Sequence, residues 1–308
     1  EYPDVTFVAM TGDFAALSGL DNLKNAFTKV YQSRYVSGVV AGMKLAEMLG
    51  DGTLSAEKQP NSFDADGNVK IGYVGAYNYA EVVSGYTAFF LGIRSIVPNV
   101  TMEVMYTNSW FDIATEGAAA EALVAKGCVI IGQHADSTGA PAAVQKLQDA
   151  GTICYSIGYN IDMLPTAPTA ALTSATNVWS VFYKELFEAA MNGEEIASDW
   201  AKGYDDGAVA VTEFGPSCAA GTAEKVAEVE AALRDGSLKV FDTATFTVNG
   251  ETVTSAPCDM TIMDWATGTV AYQGETYEGI VDGAFEESTF RSAPYFTLRI
   301  DGIVEDAQ

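Results

Sequence analysis

Short apolar runs that end in polar clusters recur along this chain at intervals of roughly 25 to 30 residues. Residues 6–10 run into Thr11, Gly12 and Asp13, residues 69–74 into a segment ending at Glu81, and residues 100–106 into one ending at Asp112. Residues 128–131 lead to Gln133-His134-Ala135-Asp136-Ser137, and residues 152–157 to a segment ending at Asp162. Between them, residues 36–49, 82–96, 114–125 and 142–150 space their apolar positions as helices do. Strand alternating with helix predicts right-handed crossovers and a mainly parallel sheet, the α/β class. In such a sheet the carboxyl ends of the strands face the ligand crevice, so the polar clusters predict a binding cleft.

Other breaks divide the chain. Residues 51–68, scattered with Gly, Ser, Pro and Asn, read as a hinge-like connection. Residues 165–168 carry two prolines, and a short β-branched stretch at 171–176 follows. Asn177 is then placed to cap a helix that Asn192-Gly193 stops, and residues 224–233 predict another amphipathic helix. From Lys239 onward apolar and polar residues alternate around Asn249-Gly250, a hairpin signal.

With 308 residues the length suggests about two domains, and 48% hydrophobic residues suffice for their cores. No uninterrupted apolar stretch reaches the roughly 18 residues of a membrane span, so no membrane insertion of this chain is expected. A net charge of −25 excludes nucleic acid as a partner, because phosphate binding needs clustered Lys and Arg. The acidic surface reads as a solubility device. Cys128 and Cys154 lie in apolar runs and read as small hydrophobes, whereas Cys218 and Cys258 could bridge if the protein is exported. No Cys/His spacing suits a metal, and no cofactor motif of the GxGxxG or GxxxxGK[ST] type occurs. Asp64 to Asn68 begins like a calcium loop but lacks the later Glu.

The stretches 76–96, 107–112, 133–137 and 156–163, with Tyr31-Gln32-Ser33-Arg34-Tyr35-Val36-Ser37-Gly38, together resemble the basic membrane protein family. That family comprises extracytoplasmic solute-binding lipoproteins of ABC transporters that take purine nucleosides or nucleobases. The resemblance runs from Tyr2 to about Leu233 and is loose beyond Lys239. It implies a two-lobed periplasmic-binding-protein type I fold, with a parallel sheet in each lobe and the cleft between. On this basis the expected N-terminal lobe is 1–68 plus 177–193 and the C-terminal lobe 69–176 plus 194–308, with crossings near 51–68, Thr176 and Gly193. Members carry about 80 further N-terminal residues, including a ligand-contacting loop, so an incomplete N-terminal lobe and a lipid anchor on the missing segment are expected. Thr11 stands where many nucleoside binders have Asp, and a Lys expected near Thr173-Ser174 is absent, which resembles the branch taking free bases.

The residue chemistry suits a purine: a planar ring with polar edges needs an aromatic face and a few convergent donors and acceptors. Trp110 is the expected stacking residue, with Asp136, His134, Asn160 and Asp162 fixing the base's edges and Thr11 and Gly12 reaching across from the other lobe. Tyr77, Tyr79 and Glu81 are weaker candidates. Competing structural roles exist for several of these: Asp136 precedes a helix it could cap, and Glu81 suits a first helical turn. His134 reads as a ligand hydrogen-bonder or a residue lining the crevice, since neither GxSxG nor further metal ligands accompany it. Binding without reaction, followed by delivery to an ABC permease, is the expected function. A purine nucleoside hydrolase or phosphorylase and a sensing domain without transport are the alternatives.

Overall fold

The computed structural model describes residues 2–15, 18–264 and 267–306. It holds two largely parallel sheets. The smaller one pairs β1 (Phe7–Met10), β2 (Leu23–Thr28) and β8 (Asp199–Lys202), all parallel, with β2 central. In the larger one, β3 (Val69–Gly75) is flanked by β4 (Val100–Tyr106) and β5 (Ile130–Gln133). β6 (Tyr155–Tyr159) and β7 (Ala171–Asn177) continue the sheet beyond β5. Its edges are β9 (Val209–Val211), antiparallel to β7, and Ile303–Glu305, parallel to β4.

Helices cover both faces of the larger sheet, as its apolar strands require. α1 (Val30–Gly50), α2 (Ala80–Arg94) and α6 (Thr222–Arg234) bury Val36, Val40, Phe89, Ile93 and Val229 on one face. α3 (Ile113–Ala125) and α4 (Gly139–Asp149) bury Leu123 and Val144 on the other. α1 and α2 touch backbone to backbone: a Cβ at Gly38 would lie 2.1 Å from the Phe89 carbonyl oxygen, and one at Gly92 2.1 Å from that of Tyr35. α5 (Trp179–Asn192) instead packs Phe182 against Ala26 and Trp200 of the smaller sheet.

The chain passes between the sheets at three places: from β2 into α1, from β7 into α5, and from β8 through a short turn at Tyr204–Asp206 into β9. The second lies where the sequence placed a crossing, near Thr176. The other two are displaced. Residues 51–68 join α1 to β3, both on the larger sheet, and Gly193 joins α5 to β8, both on the smaller one. Residues 30–50 therefore go with the larger sheet and β8 with the smaller, unlike the division expected from the sequence breaks. The apolar faces of α1 and α5, rather than Gly and Pro content, decide this partition.

Two further expectations are corrected. Asn177 does not cap α5, whose N-cap is Val178 with no side-chain bond. Its amide is taken up in the cleft. All four cysteines are free, and the Cys218 and Cys258 thiols each lie against a carbonyl oxygen, of Leu172 and Ala256 respectively. No helix among the described residues is long and apolar enough to cross a membrane.

Candidate functional site

β3 feeds α2 and then β4 on one side, whereas its neighbour β5 feeds α4 and then β6 on the other. Their connections diverge, so a crevice opens past their carboxyl ends, the position where open α/β sheets bind ligands. The loop after β3 carries Tyr77 and Tyr79 and leads into Glu81 in the first turn of α2, and the loop after β5 carries His134 and Asp136. The loop after β4 is tied in, because the Asp136 N–H donates to the Trp110 carbonyl at 2.7 Å.

Aromatic rings wall this crevice. Tyr77 and Tyr79 stack with centroids 5.1 Å apart and planes 9° apart, and Trp110 leans on Tyr77 at 5.3 Å. His134 lies 6.1 Å behind Trp110 and 5.2 Å from Tyr159. A cavity of about 480 Å³ meets this wall at Trp110 and Tyr159 and is lined also by Met10 and Thr11 from the smaller sheet's side and Trp179 and Tyr183 from α5. The two sheets thus share one cleft, and its size suits a small organic molecule.

A hydrogen-bonded chain runs along its floor. Asn160 Nδ2 donates to Asp136 Oδ1 at 2.7 Å, Asn177 Nδ2 donates to Asn160 Oδ1 at 2.8 Å, and Thr28 Oγ1 on β2 donates to Asn177 Oδ1. Asn160 holds this place with a left-handed backbone, φ 62°, and Thr11 faces it with φ 65°. A β-branched residue in that region is strained, and such strain concentrates at functional sites. Burial raises the Asp136 carboxyl above the usual range, opposed by the Asn160 hydrogen bond.

Beneath the cleft lies a buried cation. Arg34 of α1 is 1% exposed, donates to the Gln133 carbonyl, and sets its guanidinium carbon 3.5 Å from the Tyr159 ring centroid. Burial, then the Arg34 charge, holds the His134 imidazole well below its ordinary pKa, so the ring is neutral. Its Nε2 is 3.4 Å from Glu81 Oε1. Burial pushes the Glu81 carboxyl up to about 7, and Arg34 partly opposes this. Gly85 of α2 makes room for the imidazole, since a Cβ there would meet His134 Nδ1 at 2.9 Å.

Of the residues singled out by sequence, Trp110, Asp136, Asn160 and Thr11 line the main cavity, and Gly12 and Tyr79 line an adjoining one of about 360 Å³. Asp136 does not cap α4, whose N-cap is Thr138. His134 is fully buried and lines neither cavity, its ring packing near those of Trp110 and Tyr159. Asp162 is exposed and accepts from the Leu164 N–H, a turn contact outside both cavities. Sequence reasoning missed Arg34, Tyr159, Asn177, Trp179 and Tyr183. Arg34 stands among apolar and small residues in the first half of α1, a signal that could have found it. Among the described residues no cluster of His, Cys, Asp and Glu could hold a metal.

Residues 1–236 match the family described as ABC transporter substrate-binding protein PnrA-like, Bmp. The chain is 32% identical over 242 residues to a purine-binding protein of Brucella abortus, covering 78% of this chain and 60% of that protein. It is 30% identical over 246 residues to a putative ABC transporter glucose-binding protein of Haloferax volcanii, covering 80% of this chain and 55% of that one. The match thus spans less than two thirds of either relative. A solute-binding protein of an ABC transporter system from Aeropyrum pernix K1 superposes with a TM-score of 0.63 at 14% identity, over 78% of this chain and 71% of that one. At that identity the likeness is one of fold, the two-sheet periplasmic-binding type.

Proposed function

Because the chain belongs to the PnrA-like family of ABC transporter substrate-binding proteins, we propose that it captures a purine nucleobase or nucleoside outside the cytoplasm and delivers it to a membrane permease. Binding between the two sheets, without reaction, is the whole of its chemistry in this reading. A lipid anchor on a preceding segment would keep it beside its permease. The lobes are the smaller sheet with α5 and the larger sheet with its helices, closing about the three crossings by hinge motion.

The observation that carries the reading is the pairing of an aromatic wall with an amide–carboxylate chain in one cleft. Trp110, backed by Tyr77 and His134, offers a face for a planar ring. Asp136 and Asn160 offer an acceptor and a donor-acceptor pair for ring nitrogens and exocyclic groups. The Brucella relative named as purine-binding supports the same ligand class. A sugar is the second reading, favoured by the Haloferax relative named as glucose-binding and by the general affinity of aromatic faces for flat apolar surfaces.

Isothermal titration with adenine, guanine, hypoxanthine, their nucleosides and D-glucose separates the two. A purine should bind, and Trp110→Ala should weaken it by about 1 to 3 kcal/mol, the scale of base–aromatic stacking. Asp136→Ala should cost about 1 to 3 kcal/mol, because it removes a carboxyl acceptor and leaves Asn160 Nδ2 unpaired. Binding of D-glucose alone would replace the purine reading with the sugar one.

A further inference from the structure

The chain beyond residue 236, outside the family match, reaches both sides of the cleft. Phe241, Phe285 and Phe296 form an aromatic cluster, and Phe241 stacks on Tyr31 of α1 at 5.4 Å, which seats this tail on the larger sheet's side. From there Ser292 ties to the smaller sheet: its N–H and hydroxyl both donate to the Asp199 carboxylate of β8, and Asn25 Nδ2 of β2 donates to its Oγ at 2.8 Å. Farther along, Arg299 donates to Asn78 in the loop that bears Tyr77 and Tyr79, and its Nε is 2.7 Å from Glu305. Between these anchors the tail lines the 360 Å³ cavity with Arg291, Ala293 and Pro294. That cavity shares Thr11, Glu81 and Trp110 with the main one, so the two are compartments of one cleft.

Arg291 is oriented by its own backbone. Its Nε donates to the Ala293 carbonyl at 3.2 Å and its Nη2 to that of Pro294 at 3.3 Å, and its charge also favours ionisation of the buried Glu287 without forming a close ion pair among the described residues. The compartment also holds Asp13, Asn78 and Glu81. Donors and carboxylate acceptors in one small space match hydroxyl groups, each of which donates once and accepts twice. A phosphate or carboxylate there would face the charge of Asp13 and, when ionised, of Glu81.

We propose that Arg291 is a ligand-contacting, specificity-determining residue, and that the compartment it lines takes a hydroxyl-bearing substituent of the bound ligand. The tail is then part of the binding site and discriminates between a bare ring and one carrying a polyol. This rests on the reading that a planar base lies beside Trp110, and the test separates the two ideas.

The full chain and its Arg291→Ala and Arg291→Lys variants are titrated with adenine, guanine, hypoxanthine, their nucleosides, D-ribose and D-glucose. At least one nucleoside should bind more tightly than its base. Arg291→Ala should weaken that nucleoside by about tenfold or more while changing its base less than about twofold, the scale of one hydrogen bond to a charged group. Arg291→Lys, which keeps charge and stem, should recover part of the loss and guards against a folding defect. Equal losses for base and nucleoside, or no loss for either, overturn the proposal. If only a sugar binds, the purine reading falls, and the role of Arg291 stands or falls with whether Arg291→Ala weakens that sugar about tenfold. Binding of no probe by the parent chain overturns both.

Discussion

At Glu81 two effects pull in opposite directions. The first turn of α2 favours a carboxylate, whereas burial beside the neutral His134 ring favours the acid, and burial prevails with a pKa of about 7. Glu287 is a second case: 3% exposed, with Oε2 unpaired, its carboxyl is pushed up to about 8 by burial. A carboxyl whose folded pKa is raised stabilises the fold fully below its unfolded value, and that stability is lost as pH rises through the folded one. His134 works the other way, since its lowered pKa makes stability rise with pH, but only up to its unfolded value near 6.5. Between about pH 6.5 and 8 the two glutamates therefore govern the slope, and each can remove at most about 1.4 kcal/mol per pH unit. Chemical denaturation across that window should show stability falling as pH rises. Glu81→Gln and Glu287→Gln should each flatten the fall, and an unchanged slope in both variants would show that these carboxyls ionise normally.

Among the elements, α1 and α2 pack closely, because the helices meet through glycines that allow carbonyl oxygens into van der Waals contact. Alanine is the better helix former by about 1 kcal/mol, yet Gly38→Ala would drive a Cβ into the Phe89 carbonyl, and the backbone cannot rotate away as a side chain can. Overpacking of this kind costs about 1 to 3 kcal/mol or more, so Gly38→Ala should lower the urea midpoint. Gly50→Ala, at a helix end with open space around it, should be neutral or slightly stabilising. The same helices show what a sequence reveals. The strands at 69–74 and 100–106 and the helix at 82–96 were legible, within a residue or two of their ends, because their apolar periodicity is local. β2 was not, since Leu-Lys-Asn-Ala-Phe-Thr buries Asn25 and Thr28 through partners far along the chain, at Ser292 and Asn177. The cleft was legible in outline for a related reason: strand ends announce themselves by polar clusters. Which of those polar residues face the cavity was not, because the burial of His134 depends on Arg34 and Gly85, and Asp162 is spent on its own turn.

Over the whole molecule, 41 acidic residues oppose 16 basic ones. The bases are also shared out unevenly: Lys126 meets both Glu103 and Asp306, and Lys202 meets both Glu185 and Asp206. Most carboxylates therefore have no cation within ion-pair distance among the described residues, and the compact state carries a self-repulsion that the expanded chain relieves. Salt screens such interactions over a length that falls to about 10 Å at 0.1 M, while each exposed ion pair it weakens is worth under about 1 kcal/mol. Repulsion among 25 uncompensated charges should outweigh those few pairs. The melting temperature should accordingly rise by a few degrees between about 20 mM and 500 mM NaCl, and choline chloride at equal ionic strength should act alike, because screening needs no specific ion. An uncharged purine gains little from that field, so its affinity should change far less than the melting temperature over the same range. A melting temperature that stays flat or falls would mean that the ion pairs, few as they are, outweigh the surplus charge. An affinity that rises or falls steeply with salt would mean instead that the ligand in the cleft carries a charge of its own.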